Sequence, residues 1–70
     1  MTLLDAEVGK TYEIKRIDTE DEEMNSFLFH LGAYAGEPIT LMSKKRKSCI
    51  VVIKNARYGI DSLIAESIII

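Results

Sequence analysis

MNSFLFHLGAYAGEPI, residues 24–39, combines an apolar helical pattern, two glycines and the first residues of a strand. Its large apolar residues at helical spacing are expected to share one buried face: Met24, Phe27, Leu28 and Leu31. Gly32 directly follows them, at the position where a left-handed residue commonly ends a helix, and Gly36 permits a second positive φ. The stretch therefore predicts a core helix, a structural turn at the two glycines, and a strand that includes Ile39.

The length and composition of the chain indicate one small domain over residues 1–70. The composition is 47% hydrophobic and 29% charged, which is typical of a folded protein rather than a disordered one. No apolar run approaches the ~20 residues of a membrane-spanning helix, and the N-terminal residues do not resemble a signal peptide. The single cysteine, Cys49, excludes an internal disulfide and fits a reducing compartment, so we expect a cytoplasmic protein.

The charged residues are segregated along the chain, although the net charge is only −2. This net charge argues against a general binder of nucleic acid or anionic membranes. Residues 18–23 are acidic and are interpreted as a solvated loop that favours the start of the following helix. A predicted hairpin tip carries four consecutive cations, Lys44, Lys45, Arg46 and Lys47. The tip either keeps the adjacent apolar strand soluble or contacts an anionic partner surface, including a lipid headgroup layer.

The remaining pattern predicts a mostly β fold, a small five-stranded barrel with one short α-helix between strands 1 and 2. The five strands are expected at Thr11–Ile17, Glu37–Met42, Cys49–Lys54, Arg57–Ile60 and Ser67–Ile70. The apolar run 50–53 suggests a third strand covered on both faces or curled inside a small barrel. A bulge or twist is expected where Ile17 breaks the alternation of the first strand. Asn55–Arg57 is expected to be a tight connection, and Asp61–Ala65 a single helical turn capped by Asp61 or Ser62.

The residues that could support catalysis or metal binding are few. There is one histidine, His30, and one cysteine, Cys49, and no glycine-rich phosphate loop. These two residues are interpreted as a buried structural histidine beside an inert cysteine, and a catalytic Cys–His pair is the less favoured alternative. Because His30 lies opposite Leu28 on the helix, an exposed histidine is also compatible with the pattern. A ferrous site needs several converging ligands. We therefore expect no enzyme activity, no cofactor and no specific metal site.

The loop between the two glycines carries Tyr34 and Ala35. A glycine-bounded loop with an aromatic residue is a common way to present a recognition surface. The alternative is that Tyr34 covers the edge of the core. Both interpretations are retained, and the loop and the basic tip are the two candidate partner-binding surfaces.

The order of these motifs resembles the FeoA family. The similar residues are the helix and glycine turn at 27–36, the tail at 60–70, and the lead-in Leu3-Leu4 with Val8-Gly9. The resemblance implies an SH3-like domain that binds the cytoplasmic part of the ferrous-iron permease FeoB and supports or regulates transport. It also implies proximity to the membrane through that partner, no specific nucleic acid, and a homo-oligomer as an open alternative.

The chain departs from the family pattern at several positions. Ala35 stands where the family usually has proline, and Ala33 where it has a branched apolar residue. Arginines that the family often carries are replaced around Ser26 and at Asp61. Both glycines remain, so the fold expectation is kept, but contacts of those arginines are not carried over. Because the same module occurs behind iron-dependent repressors, a regulatory or nucleic-acid-associated module is the alternative function.

Overall fold

The computed structural model describes residues 1–70 and contains two antiparallel sheets, two α-helices and one 3-10 turn. The 3-10 turn is Leu3–Asp5, the helices are α1 (Glu22–Leu31) and α2 (Ser62–Ser67), and the strands are β1 (Thr11–Glu13), β2 (Arg16–Ile17), β3 (Pro38–Lys44), β4 (Ser48–Ile53), β5 (Ala56–Asp61) and β6 (Ile68–Ile69). One sheet has the order β1-β3-β4-β5, and the other pairs β2 with β6. Neither α-helix has the length and apolar composition that crossing a membrane requires.

The expected five-stranded barrel is wrong in strand number and closure, because the predicted first strand divides between the two sheets. The Ile14 amide donates to the Glu37 carbonyl at 2.9 Å, on the β3 side. The next amide, that of Lys15, donates to the Ile69 carbonyl at 2.7 Å. The backbone thus changes partner within two residues, and α1 follows β2 rather than a single first strand. The irregularity expected near Ile17 reflects this change of partner.

The two ends of the chain lie together beside the smaller sheet. Thr2 forms an isolated antiparallel bridge with Ile69. The Ile70 amide donates to the Met1 carbonyl at 3.0 Å, and the Ile70 side chain is buried. The tail is therefore part of the packed fold.

The hairpins of the larger sheet differ in detail from the sequence pattern. The β3–β4 pairing contains an irregularity between Leu41 and Ser43, which leaves Met42 on the outer face. The β4–β5 turn is formed by Lys54 and Asn55, with φ values of 50° and 66°. Such positive φ values suit a tight two-residue hairpin, so the connection lies earlier than the expected Asn55–Arg57.

The apolar run in β4 is covered on one face only. Cys49, Val51 and Ile53 are buried, whereas Ile50 remains 40% exposed. Alternate residues of a strand point to opposite faces, so the run contributes every second side chain to the core. The expectation of a strand covered on both faces is therefore wrong, and the outer face of the larger sheet is open.

Helix α1 begins and ends with side-chain and backbone caps. The Asp21 carboxylate accepts hydrogen bonds from the amides of Glu23 and Met24 at 3.0 and 3.2 Å. At the other end Gly32 has φ 92° and its amide donates to the Phe29 carbonyl at 3.0 Å, while the Ala33 amide donates to the Leu28 carbonyl at 2.8 Å. This pair of bonds is the Schellman arrangement. The predicted end of the helix at Gly32 is confirmed.

The buried face of α1 is narrower than its spacing predicted. Leu28 is fully buried, Met24 and Leu31 are partly buried against the core, and Phe27 is 45% exposed. Successive helical residues are rotated by about 100°, so Phe27 turns away when Leu28 points at the sheets. The assignment of Phe27 to the buried face is therefore wrong.

Helix α2 and the core complete the fold. The Asp61 carboxylate accepts from the Ile64 amide at 2.9 Å, so Asp61 rather than Ser62 caps this helix. The helix is longer than the single turn expected from the sequence. The core joins both sheets, both helices and the 3-10 turn through a cluster of fourteen buried residues: Leu3, Ala6, Ile14, Leu28, Ala33, Ile39, Leu41, Cys49, Val51, Ile53, Ile60, Ala65, Ile68 and Ile70.

Replacing Gly32 with valine should lower the free energy of unfolding by more than ~1 kcal/mol, because a β-branched residue is strained at positive φ. A Cβ atom at Gly32 would also lie 2.6 Å from the Lys54 Cε, so the lysine stem must move. Urea unfolding followed by circular dichroism measures the change.

Gly36 supplies a matched control, because its φ is also 92° but no atom lies near an added Cβ. Comparing Gly32→Ala with Gly36→Ala therefore separates backbone strain from the displacement of Lys54. An unchanged urea midpoint for Gly32→Val would show that the left-handed helix end contributes nothing to stability.

Candidate partner-binding site

The loop between the glycines forms an aromatic cluster with the end of α1. The rings of Phe29 and Tyr34 lie 5.1 Å apart between centroids with an interplanar angle of 33°. The Lys54 ammonium lies 5.6 Å from the centroid of the Tyr34 ring, within the range of a cation–π contact. The Tyr34 ring is thereby held by two neighbours from different elements.

Lys54 links the β4–β5 turn to the glycine loop. Its aliphatic stem lies over Gly32, where the absence of a Cβ makes the close approach feasible. Its ammonium hydrogen-bonds to the Glu37 carboxylate just beyond Gly36. This hydrogen bond raises the pKa of Lys54 above its ordinary value. The charged form of the lysine thus bridges both ends of the loop.

The exposed aromatic of the cluster is Phe29 rather than Tyr34. Phe29 is 62% exposed, whereas Tyr34 is partly buried and Ala35 is exposed. The sequence pattern does not indicate Phe29, because helical spacing identifies residues on the buried face. The available signal was a large apolar residue that lies off the predicted buried face. We refer to Phe29, Tyr34 and Ala35 as the aromatic surface.

The histidine and the cysteine occupy different environments. His30 is exposed rather than buried, and its Nδ1 lies 2.7 Å from the Ser26 carbonyl oxygen. Cys49 is buried in the core, and burial raises the pKa of its thiol, with Lys44 opposing the shift. A nucleophilic Cys–His pair needs direct contact, but one side chain bonds its own helix and the other packs in the core. The structure contains no group of three or more His, Cys, Asp or Glu side chains placed to hold a metal ion.

The basic tip is shorter than the sequence predicted. Lys44 belongs to β3, and its ammonium donates to the Leu4 carbonyl at 2.8 Å. The turn proper consists of Lys45, Arg46 and Lys47, closed by a hydrogen bond from the Lys45 amide to the Ser48 carbonyl at 2.8 Å. All four cations are exposed. Three of them therefore remain unpaired at the tip, while the fourth side chain anchors the hairpin to the 3-10 turn.

Comparisons with known proteins give the family from a sequence model and the fold from solved structures. The sequence model of the FeoA domain matches residues 1–70. No curated protein sequence matches the chain. FeoA of Stenotrophomonas maltophilia in complex with zinc, an SH3 domain protein, has a similar structure with TM-score 0.86 and 16% identity over 99% of this chain and 87% of that one. An iron uptake regulatory protein, also FeoA, gives TM-score 0.83 and 16% identity over 97% and 91%.

A repressor also contains a similar fold. A manganese-dependent transcriptional repressor has TM-score 0.88 and 20% identity over 97% of this chain. The chain spans only 39% of the length of that protein. Identities this low indicate a shared fold, and the SH3-like expectation is supported at that level.

Proposed function

The chain belongs to the FeoA domain family, and from this membership we propose that it is a non-enzymatic accessory protein of ferrous iron transport. In this proposal it acts in the cytoplasm and binds the cytoplasmic domain of a FeoB-type GTPase permease. The S. maltophilia protein of similar fold is described as a candidate ferrous iron transport activating factor. The observation that carries the partner-binding part of the proposal is the exposed Phe29 ring, which Tyr34 supports.

The aromatic surface has the features of a protein-binding hot spot. An aromatic ring that is both exposed and held in place contributes contact area at low cost in conformational entropy. Phe29 is such a ring, because the tilted Tyr34 ring packs against it and Lys54 lies over Tyr34. The hydrogen bond from Lys54 to Glu37 further fixes the loop. We therefore assign the main contact with the permease to this surface, with Ala35 at its edge.

The transport role is tested by deleting the gene from its host while keeping the permease gene intact. We expect a lower rate of ferrous iron uptake, restored by the wild-type gene and not by a Phe29→Ala variant of equal abundance. Uptake that remains normal in the deletion strain would rule out the accessory role. The amount of permease in the membrane should be measured in parallel, since a loss of permease alone would also reduce uptake.

The basic tip is proposed to accelerate association with an anionic surface of the partner. Replacing Lys45, Arg46 and Lys47 with glutamine should slow association by about tenfold at low salt and flatten its salt dependence, because exposed charges act mainly by steering. Dissociation should change little. Stopped-flow mixing with the permease domain at low and high salt gives both rates.

Lys44 is kept in that variant, because its ammonium anchors the hairpin to Leu4. A Lys44→Gln variant serves as the comparison and should alter stability rather than association. If the triple glutamine variant associates at the wild-type rate at every salt concentration, the tip has only a solubilising role.

A second candidate function is a regulatory module of the metal-dependent repressor type. It is favoured by the similarity to the manganese-dependent repressor and by the exposed cations of the tip. In that case the chain should bind duplex DNA with an affinity that falls steeply with salt, because phosphate contacts release counterions. Fluorescence anisotropy with duplex DNA at 50 and 200 mM salt would distinguish the two functions.

A further inference from the structure

An apolar groove between α1 and α2 lies outside the aromatic surface. Phe27 and Leu63 are exposed along it, at 45% and 71% of their surfaces. The groove is shallow and open to solvent, has a volume of about 370 Å³, and is lined by Asp21, Glu23, Met24, Phe27, Asp61, Leu63 and Ile64. Exposed large apolar residues that share one concave site commonly mark an interaction surface. The proposed contacts of Phe29 and Tyr34 do not use this groove.

Carboxylates surround the apolar groove. Asp21, Glu23 and Asp61 line it directly. An adjacent depression shares Met24 and Leu63 with the groove and adds the carboxylates Asp18 and Glu66. None of these five acids forms an ion pair, since the two ion pairs of the chain are Lys10 with Glu7 and Lys54 with Glu37. The rim therefore presents negative charge that no cation of the same chain neutralises directly.

Two of the rim acids also have structural roles. Asp21 caps α1 and Asp61 caps α2. A capping carboxylate uses only part of its acceptor capacity, because two oxygens offer about four lone-pair sites. Glu23 and Glu66 cap neither helix and form no ion pair within the chain. Glu23 and Glu66 can thus be changed without removing a helix cap.

We propose that this groove binds a short basic amphipathic helix of the partner. Its apolar side chains would pack against Phe27 and Leu63, and its lysines or arginines would lie along the acidic rim. Recognition of an amphipathic helix in a groove is a recurring mode of peptide binding. The source of the segment rests on the proposed function: cytoplasmic segments next to membrane-spanning helices are enriched in Lys and Arg, so a permease presents this chemistry near its membrane surface.

The test uses two fluorescently labelled synthetic peptides of about 15 residues, a length at which helices become stable. The first has leucines at helical spacing with lysines elsewhere, and the second has the same composition with no apolar face. Fluorescence anisotropy should give at least about tenfold tighter binding of the amphipathic peptide. In the Leu63→Asp variant the two peptides should bind with equal affinity. Val8→Asp, which changes an exposed apolar residue outside the groove, should leave the difference between the two peptides unchanged.

The acidic rim is tested with the double variant Glu23→Gln and Glu66→Gln. It should weaken binding of the amphipathic peptide severalfold and flatten the salt dependence. Equal binding of both peptides, or an effect of Leu63→Asp no larger than that of Val8→Asp, would overturn the inference. A dimer in sedimentation that Leu63→Asp dissociates would also overturn it, because a second copy would then occupy the groove.

The inference and the proposed function can fail separately. If the permease domain binds wild type and Leu63→Asp equally but Phe29→Ala weakly, the permease role stands and the groove assignment fails. If the amphipathic peptide binds the groove but the permease domain does not bind the protein, the groove chemistry stands and the permease role fails.

Discussion

Replacing Leu28 with alanine should lower the free energy of unfolding by about 2–5 kcal/mol, the range measured for buried leucines. Leu28 is fully buried in the cluster that joins both sheets to α1. The Leu28 carbonyl also accepts a hydrogen bond from the Ala33 amide at the end of α1. Because this bond holds the backbone in place, the helix cannot easily shift to fill the cavity left by the smaller side chain. Because small domains have a total stability of only about 5–15 kcal/mol, this one change removes a large part of it.

Leu31→Ala is the matched comparison, since it makes the same substitution three residues later on the same helix. Leu31 is only partly buried, so Leu31→Ala should lower the free energy of unfolding clearly less than Leu28→Ala does. Urea unfolding followed by circular dichroism and by tyrosine fluorescence measures both variants. Equal losses for the two variants would mean that α1 packs through a wider face than the structure shows.

Replacing Phe29 with alanine should weaken binding to the permease domain by about 2 kcal/mol, which is roughly 30-fold in the dissociation constant. Phe29 is largely exposed, so stability should change by less than about 0.5 kcal/mol. Tyr34→Ala should also weaken binding, because it removes the ring that supports Phe29. Neither change removes a charge, so the salt dependence of binding should stay as in wild type. Isothermal titration calorimetry at two salt concentrations measures the dissociation constant and its salt dependence.

Ile50→Ala provides the control for this experiment. Ile50 is another exposed apolar residue, but it lies on the outer face of the larger sheet. Its replacement should leave permease binding unchanged. Wild-type affinity for both Phe29→Ala and Tyr34→Ala would place the interface elsewhere and withdraw the aromatic surface as a binding site.

Features set by neighbouring residues were predictable from the sequence. The end of α1 follows from Gly32 after an apolar helical run, and the structure confirms it with φ 92°. The cap of the last helix was expected at Asp61 or Ser62, and the structure places it at Asp61. Each feature depends on hydrogen bonds within about five residues, so the local pattern is sufficient.

Features set by distant partners were not predictable. The division of the first strand depends on Lys15 reaching the Ile69 carbonyl, and no local pattern encodes that pairing. The exposure of Phe27 depends on which way Leu28 points at the sheets. A helix with several apolar residues fits more than one buried face. The groove at Leu63 likewise depends on how α1 and α2 pack, because its lining residues come from both helices.

Because the Ile70 amide hydrogen-bonds to the Met1 carbonyl, these two residues can be joined without changing how the strands are arranged. A short linker between these two residues, with new termini opened between Arg46 and Lys47, would give a circular permutant with the same strand pairings. In the natural order the β2–β6 ladder closes a loop from residue 16 to residue 69. The conformational entropy of that loop is lost before strand pairing stabilises the fold. In the permutant that ladder becomes local and the β3–β4 hairpin becomes distant. We therefore expect the permutant to form the β2–β6 ladder earlier, relative to the β3–β4 hairpin, than the natural chain does, because contacts close in sequence cost less loop-closure entropy.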